Sequence, residues 1–151
     1  MALFKFLHLL AVLIWLGGMF FAYMMLRLAA EETLDSSRSL RLWASVLNLF
    51  FNWVWVAVGV IIITGFYMIY LCGGITHVSH YVHTMLVLGL AMMVINGYVF
   101  FTSYVPFSLH VAKHRWQEAA QPLSNIRKLF AINLALGLLT VGVALRGIAS
   151  I

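Results

Sequence analysis

Histidine is the residue type in this sequence with the widest chemistry, because imidazole binds metals, ligates haem iron and transfers protons near neutral pH. The chain contains six histidines, and three of them, His8, His80 and His83, lie at or near the start of long apolar segments. Ionisable side chains are costly to place in an apolar environment, so they mark functional sites by default. These three histidines are therefore the candidate functional residues.

The remaining polar residues form no recognisable catalytic set. All four acidic residues lie in polar stretches between the apolar segments, and no nucleophile–base pattern or glycine-rich phosphate loop is present. The single cysteine, Cys72, cannot form an internal disulfide. Acid–base catalysis within the apolar segments would therefore rest on histidine.

Four long apolar segments must position these histidines. The 151 residues are 64% hydrophobic and 9% charged, whereas soluble domains are about 45–50% apolar and about 25% charged. A membrane-spanning helix needs about 20 apolar residues, and the segments near 3–28, 47–71, 80–104 and 127–149 meet that requirement. The sequence predicts an all-α membrane protein, a four-transmembrane-helix bundle that forms a single domain over residues 1–151.

Basic residues are distributed unequally between the two sides of this bundle. Residues 27–41 and 106–128 hold seven lysines and arginines, the 72–80 loop holds none, and the opposite side carries only Lys5 and Arg146. By the positive-inside rule, both termini face outward, which is the periplasmic side in a bacterial inner membrane. The basic pI near 9.7 is thereby explained by topology, so we expect a lipid bilayer and no nucleic acid as partner.

The predicted orientation places two histidines at matching depth. The first and third helices both begin outside, and His8 and His83 each lie about one helical turn below the outer surface. Imidazoles on facing helices can serve as the two axial ligands of a haem b. Lys5 and Arg146, with Tyr81 as a hydrogen-bond donor, lie where they would contact the haem propionates.

Copper is the alternative ligand for the same histidines. His80 lies one turn above His83, so His8, His80 and His83 together offer three imidazoles to a metal ion at the outer side. Thioether and imidazole groups suit Cu(I), and Met68 and Met85 lie in the neighbouring segments. Methionine is also common filler in apolar cores, so both explanations of the eight methionines stay open.

Several short segments resemble the CopD-like family of small four-helix integral membrane proteins. The most specific is the His-x6-Trp-x-x-Gly pattern formed by His8, Trp15 and Gly18. Further likeness lies in residues 64–66, 82–85, 125–128 and 133–134. The family name implies copper resistance or copper uptake.

The chain also resembles the related HemJ group, which has the same four-helix plan. That resemblance implies haem binding and oxidation of protoporphyrinogen, with the group's two helix histidines carried over to His8 and His83. HemJ proteins have a Leu-Pro-Arg-Leu-Phe stretch after the glycine of the first helix. Residues 22–26 of this chain contain neither the proline nor the arginine.

Our leading hypothesis is a b-type haem protein held by His8 and His83, with an electron-transfer or redox role and a quinone or periplasmic redox partner. Copper binding or transport across the inner membrane is the alternative, and HemJ-like protoporphyrinogen oxidation is a further one. Whether the protein is an enzyme, and whether it assembles as a homo-oligomer, stays open at this point.

Overall fold

The computed structural model describes residues 1–149, which form helices joined by short turns and contain no β-strand. The elements in chain order are α1 (Ala2–Phe20), a π-helical segment (Phe21–Leu26), α2 (Arg27–Thr33), α3 (Ser36–Leu71), a 3-10 turn (Ile75–His77), α4 (His80–Val99), a second π-helical segment (Phe100–Tyr104), α5 (Val105–Ala112) and α6 (Trp116–Ala149). The all-α prediction is confirmed. Residues 150 and 151 of the predicted domain lie outside the described residues.

Four continuous helical stretches are long and apolar enough to cross a membrane. They are Ala2–Thr33, Ser36–Leu71, His80–Ala112 and Trp116–Gly147, called here the first to fourth spans. A helix satisfies its own backbone hydrogen bonds, which lipid cannot do, so helices are the expected state of these apolar segments. The predicted four-span architecture is confirmed, and the chain is a multi-pass membrane protein.

The second and fourth spans begin about three helical turns before the positions predicted from hydropathy. In these extensions buried residues recur at helical spacing, Leu40 and Trp43 in the second span and Ala119 and Leu123 in the fourth. Charged residues occupy the other faces. An amphipathic helix of this kind has low mean hydropathy, and for that reason the sequence analysis assigned these residues to loops.

Neighbouring spans run antiparallel, as contacts at their ends show. The rings of Phe4 and Tyr67 lie 4.3 Å apart and join the start of α1 to the end of α3. At the other end, Nη1 of Arg127, near the start of α6, lies 3.1 Å from Oε1 of Glu31 in α2. Both ends of the described chain therefore lie at the same end of the bundle.

The two ends of the bundle differ in charge. We call the end that holds residues 1–8, the 72–79 loop and residues 146–149 the terminal end. We call the other, which holds residues 27–41 and 106–128, the basic end, because seven of the nine lysines and arginines lie there.

Aromatic side chains fill the half of the bundle near the basic end. A cluster of rings from the second, third and fourth spans packs there at centroid distances of 4.7–6.2 Å: Phe50, Phe51, Phe100, Tyr104 and Phe130. Tyr104 also donates a hydrogen bond to Oδ1 of Asn48 at 3.2 Å. This cluster ties the second span to the third.

The half near the terminal end is packed more loosely. There α1 packs against α3 and α4 packs against α6. Within α4 the first buried residue is Met92, twelve positions into the helix, so the segment with His80 and His83 has a partly open surface. The candidate histidines thus lie in the less filled half of the fold.

Candidate functional site at the terminal end of the bundle

His8 is held by a hydrogen bond to the second span. Its Nδ1 atom lies 2.8 Å from Oγ1 of Thr64, a residue that is 3% exposed. The Thr64 hydroxyl lies 2.6 Å from the carbonyl oxygen of Val60, one turn earlier, to which it can donate its proton. In this arrangement Oγ1 accepts from Nδ1–H of His8, which leaves the lone pair of the imidazole on Nε2.

A glycine makes room for this ring. Cε1 of His8 lies 3.4 Å from the place that a Cβ atom would occupy on Gly65, so the imidazole rests against the backbone of the second span. In the sequence, residues 64–66 stand out only through the CopD-like resemblance, and Thr64 was not predicted as the partner of His8. Each residue lies about two turns from the terminal end, and that common depth is a signal that could have identified the pair.

His83 has the same proton arrangement. Its Nδ1 atom lies 3.2 Å from the backbone carbonyl oxygen of Ser79, the residue that precedes α4. A carbonyl oxygen can only accept, so Nδ1 carries the proton and Nε2 carries the lone pair. Two of the three candidate histidines, His8 and His83, thus present Nε2 as an electron-pair donor, the form in which imidazole binds a metal.

His80 lies beside His83 on the same face of α4, three residues earlier. The two ring centroids are 6.4 Å apart, and the ring planes are inclined by 42°. A metal ion bound about 2.0 Å from one nitrogen of each ring would place the centroids roughly 6 Å apart in a linear arrangement. His80 is exposed, so the pair is accessible from the terminal end.

The predicted propionate partners lie at the terminal end but on its surface. The side chains of Lys5 and Arg146 are exposed. The ring of Tyr81 lies directly on Gly147, where a Cβ atom would overlap it, and this contact joins α4 to α6 beside Arg146. The three residues are therefore near the ends of the helices that carry the histidines, and their role stays a prediction.

The three candidate histidines fall into two groups, one between α1 and α3 and the other on α4. His8 contacts Thr64 between α1 and α3, whereas His80 and His83 lie together on α4. Within residues 1–149, no hydrogen bond or ring contact joins the two groups, and no three His, Cys, Asp or Glu side chains come together as a metal-binding group. The structure thus assembles one histidine pair and one separate histidine.

Two buried thioethers lie deeper in the bundle, against consecutive turns of α6. Met19 is fully buried and accepts a hydrogen bond from Nδ2 of Asn133 at 3.7 Å. Met92 is 4% exposed, and its Cε atom lies 3.1 Å from the Cβ position of Gly137. The methionines that the sequence analysis named for copper were Met68 and Met85, so this buried pair was not predicted.

Two thirds of the chain are similar to a known family of membrane proteins. The model of the CopD family, described as copper resistance protein D, matches residues 44–145, which is more than half of the chain. The matched segment includes Thr64, His80, His83 and Met92. No curated protein and no solved structure matches the chain.

Proposed function

The chain belongs to the copper resistance protein D family, and on this premise we propose that it binds copper at the terminal end of the bundle and passes the ion towards the basic end. The family supports a copper-related membrane function. With the orientation inferred from the basic residues, the ion enters from the periplasmic side of a bacterial inner membrane. This is the alternative of the sequence analysis, and the family description now favours it over haem.

The observation that carries the proposal is the oxygen partner of Nδ1 in both His8 and His83. In each ring the Nδ1 proton is donated to an oxygen, of Thr64 in one case and of Ser79 in the other. An oxygen acceptor on one ring nitrogen orients the ring and makes the other nitrogen a better ligand. Both rings are therefore prepared to bind a metal through Nε2.

Copper would first meet His80 and His83, because His80 is exposed and the two rings have a separation suited to one shared ion. The half-buried His8 offers the next imidazole. Deeper in the bundle, Met19 and Met92 offer thioether sulfur, a ligand type that selects Cu(I). Methionine and imidazole ligands at successive depths provide binding sites between which Cu(I) can transfer.

Copper binding by purified protein tests the proposal. Protein in detergent is titrated with Cu(I) in the presence of a competing chelator, and wild type is compared with the variant His80→Ala/His83→Ala. We expect the variant to bind at least about tenfold more weakly, since two of the ligands are lost.

The control is His77→Ala, which removes an exposed histidine of the neighbouring loop. It should bind copper as wild type does. If the double variant, and the variant that also lacks His8, bind copper like wild type, the proposal is wrong.

A haem b bound by His8 and His83 is the second candidate. The same two Nε2 atoms suit axial ligation, and the loosely packed terminal half of α4 leaves apolar surface for a flat macrocycle to cover. Lys5 and Arg146 would contact the propionates. The haem would supply one-electron redox chemistry, with a quinone or a periplasmic protein as partner.

One pair of measurements separates the two candidates. The haem candidate requires a Soret band in protein purified from haem-sufficient cells, and the variants His8→Ala and His83→Ala must each diminish it. Elemental analysis that finds copper in protein without a Soret band selects the copper function. Protoporphyrinogen oxidation stays a prediction from the HemJ resemblance, and rescue of a strain lacking that oxidase would test it.

A further inference from the structure

A second cluster of unusual residues lies at the basic end, where α2, α3 and α6 meet. The guanidinium of Arg127 bonds to Glu31 at 3.1 Å and lies over the ring of Trp43, with its central carbon 5.0 Å from the ring centroid. The guanidinium of Arg27 lies over the ring of Tyr23 at the same distance. The proposed copper ligands are at the opposite end, so this cluster is independent of them.

Three hydrogen-bond donors in this cluster have no acceptor in the part of the chain that the structure describes. Nε of Arg27, Nε of Arg127 and Nε1 of Trp43 are all buried and lack a partner among residues 1–149. Trp43 is wholly buried. A buried donor without an acceptor destabilises a fold, and more so when it is charged. Three such groups on three different helices indicate that an acceptor belongs between or beside them.

The charge of the cluster points to the same kind of missing group. Arg27 and Arg127 lie close enough to interact electrostatically, as like charges, and the carboxylate of Glu31 contacts Arg127. Two guanidinium groups facing one carboxylate leave an excess positive charge at a partly desolvated place. An anion with several acceptor oxygens would balance the charge and accept from the free N–H groups.

Phosphate has the oxygens and the charge that this arrangement requires. Guanidinium forks pair with phosphate through two parallel hydrogen bonds, and a phosphate oxygen can also accept from an indole N–H. The cluster lies near the ends of the first and second spans, with Trp43 buried between the helices. Basic pockets between transmembrane helices at this depth bind the head groups of anionic lipids.

We propose that Arg27, Arg127 and Trp43 form a binding site for a phosphate group, supplied by a phospholipid head group or by free phosphate. Glu31 orients Arg127 through its ion pair and leaves Nε available to the ligand. Binding at this site joins the first, second and fourth spans at the basic end. It stabilises the bundle without taking part in copper binding.

Thermal unfolding of the delipidated full chain in detergent tests the site. The protein is titrated separately with phosphatidylglycerol, with a phosphate-free galactolipid of the same acyl chains, and with inorganic phosphate against chloride at equal ionic strength. We expect phosphatidylglycerol to raise the unfolding temperature and the galactolipid not to do so. Stabilisation by inorganic phosphate as well would identify free phosphate as a sufficient ligand.

The variants Arg27→Gln, Arg127→Gln and Trp43→Phe should each weaken the response, the arginine variants by about tenfold or more in the midpoint concentration. Trp43→Phe keeps an aromatic ring under Arg127, so it tests the N–H group if an arginine variant fails to fold. Arg38→Gln is the control, because Arg38 lies at the same end and its side chain is 76% exposed. Equal stabilisation by both lipids with none by phosphate, or wild-type responses in the folded variants, would overturn the proposal.

Discussion

Nδ1 of His8 and Oγ1 of Thr64 lie 2.8 Å apart although the residues are 56 positions apart in the chain. This hydrogen bond joins the first span to the second in the half of the bundle that has few buried contacts. With the threonine proton donated to Val60, Oγ1 accepts from Nδ1–H of His8 and Nε2 keeps the lone pair. One contact thus contributes to packing and orients the imidazole that we propose as a copper ligand.

Replacing Thr64 with valine is expected to weaken copper binding by about 10–100-fold, the usual effect of removing a group that orients a metal ligand. Valine has nearly the same shape, so the span keeps its packing while His8 loses its acceptor. The measurement is the Cu(I) affinity in the chelator competition described above.

Thr140→Val is the matched control. The hydroxyl of Thr140 donates to the carbonyl of Leu136 within its own helix at 2.8 Å, as Thr64 does with Val60, but it has no histidine partner among the described residues. It should leave the affinity unchanged. Equal affinities for the Thr64 and Thr140 variants would show that the bond to His8 has no part in copper binding.

The spans were predictable, whereas their extensions at the basic end were not. Runs of about 20 apolar residues can only be helices in lipid, so hydropathy located all four spans. The extensions carry Leu40, Trp43, Ala119 and Leu123 on one face and charges on the other. Mean hydropathy averages the apolar and the charged face, so these segments look polar. A search for apolar residues that recur every 3.6 positions would identify them as amphipathic helices.

The candidate histidines were predictable because an ionisable residue in an apolar run stands out by itself. Their partners were not. Thr64 is an ordinary residue in a span, and only the antiparallel packing of α1 on α3 brings it to His8. Arg27 and Arg127 are 100 positions apart, and in the sequence each is informative only as a basic residue that indicates the side of the membrane. Contacts between distant segments need the register of the helices, which hydropathy does not supply.

The two buried methionines provide a test of the proposed copper path. Met92→Leu should reduce copper uptake into proteoliposomes by about tenfold, equivalent to about 1.4 kcal/mol, because leucine fills the space but offers no sulfur. Met19→Leu should act likewise, although it also deprives Nδ2 of Asn133 of its acceptor. Met25→Leu is the control, since Met25 is 54% exposed on the outer face of the bundle. If Met92→Leu and Met19→Leu take up copper as fast as Met25→Leu and wild type, a thioether path is excluded.

Because the Tyr81 ring lies on Gly147, we expect a side chain at position 147 to weaken the packing of α4 on α6. Gly147→Ala places a methyl group against the Tyr81 ring, and we expect it to destabilise the protein by about 1–3 kcal/mol. Gly142→Ala in the same helix meets no atom within 4 Å and should be neutral, or stabilising by up to about 1 kcal/mol. Thermal unfolding in detergent measures both variants. The same unfolding temperature for both would mean that the ring and the glycine are not in contact in the membrane protein.

Cys72 allows a direct test of the orientation on which copper entry from the periplasm depends. It is the single cysteine of the chain and is exposed in the loop of the terminal end. The excess of lysine and arginine at the basic end predicts that this loop faces the periplasm. A membrane-impermeant maleimide should therefore label Cys72 in cells with a permeabilised outer membrane and an intact inner membrane.

The variant Cys72→Ala/Ala120→Cys, with the thiol at an exposed position of the basic end, should react only after the inner membrane is disrupted. The reverse labelling pattern would place the histidines on the cytoplasmic side and turn the proposed copper path from uptake into export.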